Sequence, residues 1–195
     1  MATKIESEAK PKCYVFVLLE DFTLLSFASA LESLRIANRM AGHEAYQWRI
    51  IGEGGEEVCC SAGSVFKLDG DLDELSRDDT MMICSGVNVQ QFTTKKLLGW
   101  VRREARKGIP VAGLCTAAYT LAKAGLLDDK RATIHWENHD SFSEEFPEVE
   151  LTKSVFVVDG NRLTTAGGTS SLDLMLKLIA KDLGEDLANA VADQL

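Results

Sequence analysis

Residues 109–127 read IPVAGLCTAAYTLAKAGLL and contain the change from strand to helix that decides the fold. The apolar run at 109–114 suits the end strand of a buried parallel sheet. From Thr116 the apolar residues recur at helical spacing. Cys115 stands at the change, so its sulfur is expected at a helix N-terminus, where the macrodipole favours the thiolate. Small neighbours permit a sharp turn that exposes this side chain, as in a nucleophile elbow; a buried core thiol is the alternative.

The composition excludes several classes of protein. The chain has 195 residues, enough for one domain with a substantial core, and a net charge of −9. An acidic chain does not favour a nucleic-acid-binding surface, since phosphate contacts need clustered Lys and Arg. The five cysteines lack a repeated spacing, which indicates reduced thiols in a cytoplasmic protein. Residues 1–12 are polar, so no signal peptide is expected, and no apolar run is long enough for a membrane span.

Strand and helix patterns alternate along the chain after an expected disordered leader at 1–12. Short apolar runs predict strands at 13–19, 46–51, 80–84, 109–114 and 131–134. Helical periodicity indicates helices at 24–40, 90–107, from 116, at 137–146 and at 170–183. A Gly-containing turn predicts a hairpin at 155–165. The predicted fold is therefore α/β, an open, mostly parallel sheet with helices on both faces.

In such sheets ligands bind beyond the carboxyl ends of the strands. Cys115 needs a base and an oxyanion hole for acyl chemistry. His135, at a predicted strand end, could be the base, or it could be a structural histidine at the rim of the sheet. The backbone N–H groups of Thr116 and Gly86 could be oxyanion donors. Gly86 permits close approach by a ligand, but a tight turn explains it equally well.

Two further features could contribute to a pocket. Trp136 could hold a cationic ligand by cation–π attraction, or it could be a core residue. The acids at 20–21 could balance the charge of such a ligand, or be solvated loop residues. His135 and His139 are four residues apart but do not match a metalloprotease motif, so no metal and no cofactor are expected. The pocket lining is predicted as Glu20, Ser85, Gly86, Cys115, Thr116, His135 and Trp136.

Several motifs carry a resemblance to a known family. The elbow LCTAA at 114–118 resembles that of the class I glutamine amidotransferase-like superfamily, in its PfpI/ThiJ-type (DJ-1/PfpI) branch. More specifically, the chain resembles the N-terminal domain of AraC-type transcriptional regulators of the GlxA kind. The matching motifs are LLEDFTLL at 18–25, LRIAN at 34–38, ATIHW at 132–136, Phe142 with EFP at 145–147, and LTTAGG at 163–168 with LD at 172–173.

The resemblance implies a flavodoxin-like domain at 13–184, usually homodimeric, that senses a small-molecule effector. Related sensors respond to nitrogenous metabolites such as arginine, carnitine or glycine betaine. In these regulators a helix-turn-helix domain of AraC type binds DNA. The segment 185–195 is expected to be a helical tail that leads to this domain. We expect the chain to be a separate sensor domain, or alternatively a natural stand-alone protein, and DNA to be a partner only through the DNA-binding domain missing here.

The chain departs from the enzymatic relatives that the resemblance brings in. Those relatives carry an acidic residue on the first helix that tunes the reactivity of the cysteine. The corresponding position in this chain lies near Ser26, which cannot replace a carboxylate. Some have His directly after the cysteine, where this chain has Thr116. We therefore expect a sensor and no enzyme, with Cys115 and His135 as the only candidate catalytic residues. The alternatives are a cysteine-dependent hydrolase or glyoxalase-like enzyme, and redox sensing by Cys115 alone.

Overall fold

The computed structural model describes residues 10–195, which form ten strands and seven α-helices. The strands are β1 (Lys12–Leu18), β2 (Tyr46–Ile51), β3 (Glu57–Cys59), β4 (Val65–Lys67), β5 (Thr80–Cys84), β6 (Val111–Leu114), β7 (Arg131–Ala132), β8 (Glu150–Leu151), β9 (Phe156–Asp159) and β10 (Arg162–Thr165). The helices are α1 (Leu24–Ala41), α2 (Val89–Phe92), α3 (Lys95–Ala105), α4 (Ala118–Lys123), α5 (His139–Glu145), α6 (Ser170–Leu183) and α7 (Glu185–Ala192).

Six strands form the central sheet in the order β2-β1-β5-β6-β10-β9. All neighbouring pairs are parallel except the hairpin of β9 and β10. Because parallel strands point the same way, the carboxyl ends of β1, β2, β5, β6 and β10 meet at one edge of the sheet. The predicted flavodoxin-like, mostly parallel sheet is confirmed, and β3 and β4 form a separate hairpin beside that edge.

The two faces of the sheet are covered by different helices. Alternate residues of β1 point to opposite faces, so Val15 and Val17 pack in one cluster while Phe16 and Leu18 pack in the other. The first cluster includes buried residues of α3, α4 and α5. The second includes those of α1, α6 and α7. Helices on both faces therefore enclose the strands, as predicted.

Three predicted elements differ from the structure. The strand predicted at the end of the sheet is β6, which lies inside it because β10 pairs on its other side. The helix predicted at 90–107 is interrupted where Thr94 adopts an extended conformation and caps α3 by accepting a hydrogen bond from the Leu97 N–H. The strand predicted at 131–134 has only two residues, and it pairs with β8 outside the central sheet.

Helix α1 spans the domain from the carboxyl edge of the sheet to the opposite side. It begins after Thr23 and ends at Gly42, whose φ of 73° is the left-handed conformation favoured at that position. Near its end, Arg39 donates a hydrogen bond to Gln194, beyond α7. Lys12, at the end of the predicted disordered leader, already pairs with Tyr46 in the sheet, and residues 1–9 lie outside the described part. Over 10–195, no helix combines the length and apolar character needed to cross a membrane.

Candidate functional site

The turn after β6 has the geometry of a nucleophile elbow. Cys115 has a φ of 62°, in the left-handed region that few non-glycine residues occupy. A short 3-10 turn, Cys115–Ala117, connects it to α4. Gly113 makes the tight turn possible, because a Cβ at that position would lie 2.9 Å from the carbonyl carbon of Ala117. The predicted elbow at Cys115 is confirmed.

The sulfur of Cys115 is enclosed, which corrects the expectation of an exposed thiolate. The residue is only 4% exposed, and its Sγ lies 3.5 Å from the Oγ1 of Thr23, just before α1. Burial raises the pKa of the Cys115 thiol. The hydroxyl of Thr23, the Thr116 N–H and the nearby hydroxyl of Ser26 act to lower that pKa, but they offset only part of the rise. The helix N-terminus is present, but desolvation outweighs it, so the neutral thiol is favoured.

The backbone of the elbow is tied to β10 and α6. The N–H of Cys115 donates to the Oγ1 of Thr165 over 3.2 Å. The same hydroxyl lies 3.4 Å from the Oγ of Ser171. Both hydroxyl-bearing residues are buried, so these contacts are protected from water. The N–H of Cys115 is therefore already used within the protein.

His135 and Cys115 meet beside Gly167. A Cβ built on Gly167 would lie 2.7 Å from the Cδ2 of His135 and 3.0 Å from the Sγ of Cys115. On its other side, His135 Nδ1 lies 3.7 Å from the Oε2 of Glu137. Among the hydrogen bonds of residues 10–195, none joins His135 to the thiol. The structure thus brings the two predicted residues together without the hydrogen bond that a nucleophile–base pair needs.

The hydroxyl groups of Ser85 and Thr116 contact each other beside the elbow. Their hydroxyl oxygens lie 2.8 Å apart, and Thr116 also donates to the carbonyl of Gly86 over 2.6 Å. Both side chains are buried. Gly86 has a structural role that neither predicted explanation named, because a Cβ there would lie 2.0 Å from the carbonyl oxygen of Asp21. The close approach of the loop after β1 therefore requires a glycine at this position.

Trp136 and Glu20 lie in two different cavities. Trp136 is 73% exposed, so it is not a core residue. It borders an open cavity of about 340 Å³ that also includes Asp140 and Lys153. Glu20 borders another cavity, and its carboxylate accepts a hydrogen bond from the Cys59 N–H over 3.3 Å. The structure therefore does not bring Glu20 together with the aromatic residue that it was expected to complement.

His139, four residues after His135, contacts the backbone of a neighbouring segment. Its Nε2 lies 3.1 Å from the carbonyl oxygen of Thr152. Within residues 10–195, no three His, Cys, Asp or Glu side chains are grouped closely enough to hold a metal ion.

The comparison with known proteins identifies the fold family. Residues 12–181 match the DJ-1/PfpI family over most of the chain. The chain belongs to the DJ-1/PfpI family. A crystal structure of an AraC family transcriptional regulator from Pseudomonas putida shares the fold with a TM-score of 0.83 and 29% identity, over 94% of this chain and 98% of that one.

The relatives of this DJ-1/PfpI domain include transcriptional regulators. The chain is 41% identical to the HTH-type transcriptional regulator CdhR of Pseudomonas aeruginosa, over 92% of its own length and 53% of that protein. It is 37% identical to the HTH-type transcriptional regulator GlxA of Rhizobium meliloti, over 91% of its length and 55% of that protein. The resemblance to regulators of the GlxA kind is confirmed. The chain spans about half the length of these two regulators.

The family also contains enzymes, and the residue at position 26 distinguishes this chain from what is expected of its enzymatic relatives. The chain is 36% identical to an isonitrile hydratase of Pseudomonas putida, over 71% of its length and 60% of that protein. Ser26, expected where enzymatic relatives have an acid, is buried in this DJ-1/PfpI domain and is within hydrogen-bonding reach of Cys115. Its Oγ donates to the carbonyl of Gly168 over 3.3 Å. A hydroxyl, not a carboxylate, therefore stands at the sulfur.

Sequence reasoning did not assign a role at the sulfur to three residues that shape the elbow of this DJ-1/PfpI domain. They are Thr23, which contacts the sulfur, Thr165, which accepts from the Cys115 N–H, and Gly167, which makes room for His135. Thr23 directly precedes a predicted helix, and Gly167 stands in a Gly-Gly pair between a strand and a helix. Those local signals mark a cap and a turn, but they do not reveal contact with a cysteine far away in the chain.

Proposed function

We propose that this DJ-1/PfpI domain is the ligand-sensing part of an AraC-type transcriptional regulator. The observation that carries the proposal is the neutral, enclosed thiol of Cys115, with Ser26 in place of a carboxylate and no hydrogen bond to His135. Such an elbow lacks the activation that a cysteine nucleophile needs. The regulators CdhR and GlxA support the same class.

The effector is a small nitrogen-containing metabolite in the cavity at Trp136. The Trp136 ring lies 5.9 Å from the ring of His135, which meets Cys115 beside Gly167, so this cavity adjoins the elbow. An exposed indole offers its face to a cation, and the carboxylate of Asp140 lines the same cavity. The ammonium of Lys153 on this cavity suits a carboxylate on the same ligand. Ser85, Gly86 and Thr116 contribute to this site by holding the elbow and the adjoining loop, since their polar groups are used within the protein.

Regulation follows from a difference in ligand affinity between two arrangements of the regulator. The regulator acts in the cytoplasm as a homodimer, and α7 leads from the sensor towards a helix-turn-helix domain that contacts DNA. The net negative charge of this chain supports the view that the helix-turn-helix domain, and not this domain, binds DNA.

Thermal unfolding in the presence of arginine, carnitine and glycine betaine tests the proposal. A ligand at 100 times its Kd should raise the Tm by about 5 °C or more. Trp136→Ala should remove this shift, whereas Trp136→Phe, which keeps an aromatic face, should retain part of it. If no small metabolite stabilises the domain while Cys115→Ser abolishes a turnover, the sensing proposal is wrong.

A second function is favoured by the isonitrile hydratase relative, namely a cysteine-dependent hydrolase or glyoxalase-like enzyme. Its test is the rate of Cys115 alkylation as a function of pH, together with methylglyoxal consumption. An enzyme requires a thiolate at neutral pH that His135 helps to form. A thiol that reacts only at alkaline pH, with no methylglyoxal consumed, would eliminate this candidate.

A further inference from the structure

A second cavity, of about 220 Å³, lies at the carboxyl ends of β1 and β2, away from Cys115. Its inner wall is apolar, built from the strand ends, the β3 strand and helices α2 and α3. The apolar lining residues are Val17, Leu18, Leu19, Val58, Leu68, Phe92 and Leu97. A cavity of this volume has room for several water-sized groups. Neither Cys115 nor Trp136 borders it, so it is separate from the site proposed above.

Three carboxylates surround the opening of this cavity, on Glu20, Glu53 and Glu57. All three residues are exposed, and within residues 10–195 none of them forms an ion pair with Lys or Arg. Lys67 stands opposite Glu57 in the β3–β4 hairpin but does not pair with it. The opening therefore carries negative charge that the described residues leave largely uncompensated.

The carboxylates also have acceptor positions left for a ligand. Glu53 accepts one hydrogen bond, from the hydroxyl of Thr94 over 2.5 Å, and Glu20 accepts one from the Cys59 N–H over 3.3 Å. A carboxylate has about four acceptor positions, so most remain available. These acceptors favour a cation that carries N–H donors over a quaternary one.

We propose that this cavity binds a small protonated primary alkylamine. The ammonium group lies among Glu20, Glu53 and Glu57, where it meets opposite charge and hydrogen-bond acceptors. The alkyl chain enters the cavity and covers the apolar wall, which removes apolar surface from water. A bare metal ion fits this cavity poorly, because within residues 10–195 no three His, Cys, Asp or Glu side chains are grouped closely enough to hold one.

The proposal is tested by titrating the 15N-labelled chain with n-butylammonium chloride and following the amide resonances by NMR. We expect saturable shifts at Gly52, Val58 and Thr94, which border the cavity, and none with sodium butyrate or sodium chloride at the same ionic strength. Equal shifts with butyrate would show that the apolar wall alone binds. Shifts confined to Gly167 and Gly168, or no shifts at all, would also overturn the proposal.

Variants that remove a negative charge from the opening provide a second, quantitative test of the proposal. Glu53→Gln, and separately the double change Glu20→Gln with Glu57→Gln, should weaken n-butylammonium binding about tenfold, the effect of losing a charge-assisted hydrogen bond. Glu56→Gln is the matched control, because it removes the same charge beside Glu57 from a residue that does not border the cavity. It should change the Kd by less than about twofold. Equal effects of Glu53→Gln and Glu56→Gln would refute the role of the opening.

Discussion

The hydroxyl of Thr23 lies 3.5 Å from the sulfur of Cys115, although 92 positions separate the two residues in the chain. This contact places the start of α1 directly over the elbow. Thr23 occupies the position before the helix, where a threonine side chain usually accepts a hydrogen bond from the helix backbone, yet it makes no such bond. Its hydroxyl is thus committed to the sulfur, and the thiol is shielded by the same residue that polarises it.

Replacing Thr23 with valine should make Cys115 less reactive. The hydrogen bond from Thr23 lowers the pKa of the thiol against the larger effect of burial, so its loss raises that pKa further. At pH 8 the rate of alkylation by iodoacetamide should fall about fivefold, the equivalent of one neutral hydrogen bond. Cys13, on β1, is the internal reference, and mass spectrometry separates the two rates. A faster reaction at Cys115 would mean that Thr23 acts only as a shield.

Gly86→Ala should be severely destabilising. The added Cβ would lie 2.0 Å from the carbonyl oxygen of Asp21, a backbone atom that cannot yield without moving the loop after β1. We expect a loss of about 3 kcal/mol or more in the free energy of unfolding, measured by urea denaturation. Gly99→Ala on α3 is the control, since a Cβ there meets no atom within 4 Å, and it should stabilise by about 0.5–1 kcal/mol. Similar values for both variants would contradict the crowding at Gly86.

Gly167 and Gly168 form a natural matched pair. Both have positive φ, 91° and 59°, so alanine strains the backbone at either position. Only at Gly167 would the Cβ also meet His135 and Cys115. Gly168→Ala should cost about 1 kcal/mol, whereas Gly167→Ala should cost about 3 kcal/mol and speed the alkylation of a displaced Cys115. An unchanged alkylation rate in Gly167→Ala would show that the elbow tolerates the added methyl group.

A buried carboxylate on α3 holds the long loop before β5. Glu104 is fully buried and accepts hydrogen bonds from the Leu75 N–H, from Lys107 and from Arg103. Burial acts to raise the pKa of Glu104, but these donors more than offset it, so that pKa lies below its usual range. A carboxyl with a lowered pKa stabilises the fold above its unfolded pKa, and that contribution disappears as the pH falls through its folded pKa.

Glu104→Gln should therefore lower the free energy of unfolding by about 3 kcal/mol at pH 7, because Lys107 and Arg103 lose their negatively charged partner and one of its two acceptor oxygens becomes a donor. The difference from the unchanged protein should begin to shrink as the pH falls below the ordinary pKa of a glutamate, about 4.3, and should disappear only as the pH falls through the lower folded pKa of Glu104. Urea denaturation from pH 3 to pH 8 measures both effects. Glu144→Gln, at an exposed position on α5, should change the stability by less than about 0.5 kcal/mol. A difference that stays constant with pH would show that Glu104 is not charged in the folded protein.

Local sequence patterns predicted the sheet and the elbow because both depend on short-range spacing. The apolar runs marked the parallel strands, and the change of period at Cys115 marked the turn. The bounds of α6, at Ser170–Leu183, matched the prediction residue for residue. The order of the strands was harder to predict, because β6 pairs with β10 across 47 intervening residues and no local pattern indicates that pairing.

The surroundings of the sulfur could not be predicted from the same patterns. Thr23 and Ser26 reach Cys115 only when α1 packs on the sheet, so the burial of the thiol is a tertiary property. The need for glycine at position 86 likewise arises where one loop crosses another. The exposure of Trp136 was equally hidden, because an indole after a strand end fits a core and a cavity rim equally well.

Helix α1 connects the two ends of the domain mechanically. Its 18 residues span about 27 Å, with Thr23 and Ser26 at the elbow and Arg39 bonded to Gln194 at the far end. A rigid rod of that length converts a small rotation into a displacement. A tilt of about 5° about Thr23 would move Arg39 by about 2 Å. A group that inserts between Thr23 and Cys115 and tilts α1 would therefore displace Arg39, and with it the residues around Gln194, without any change in the sheet.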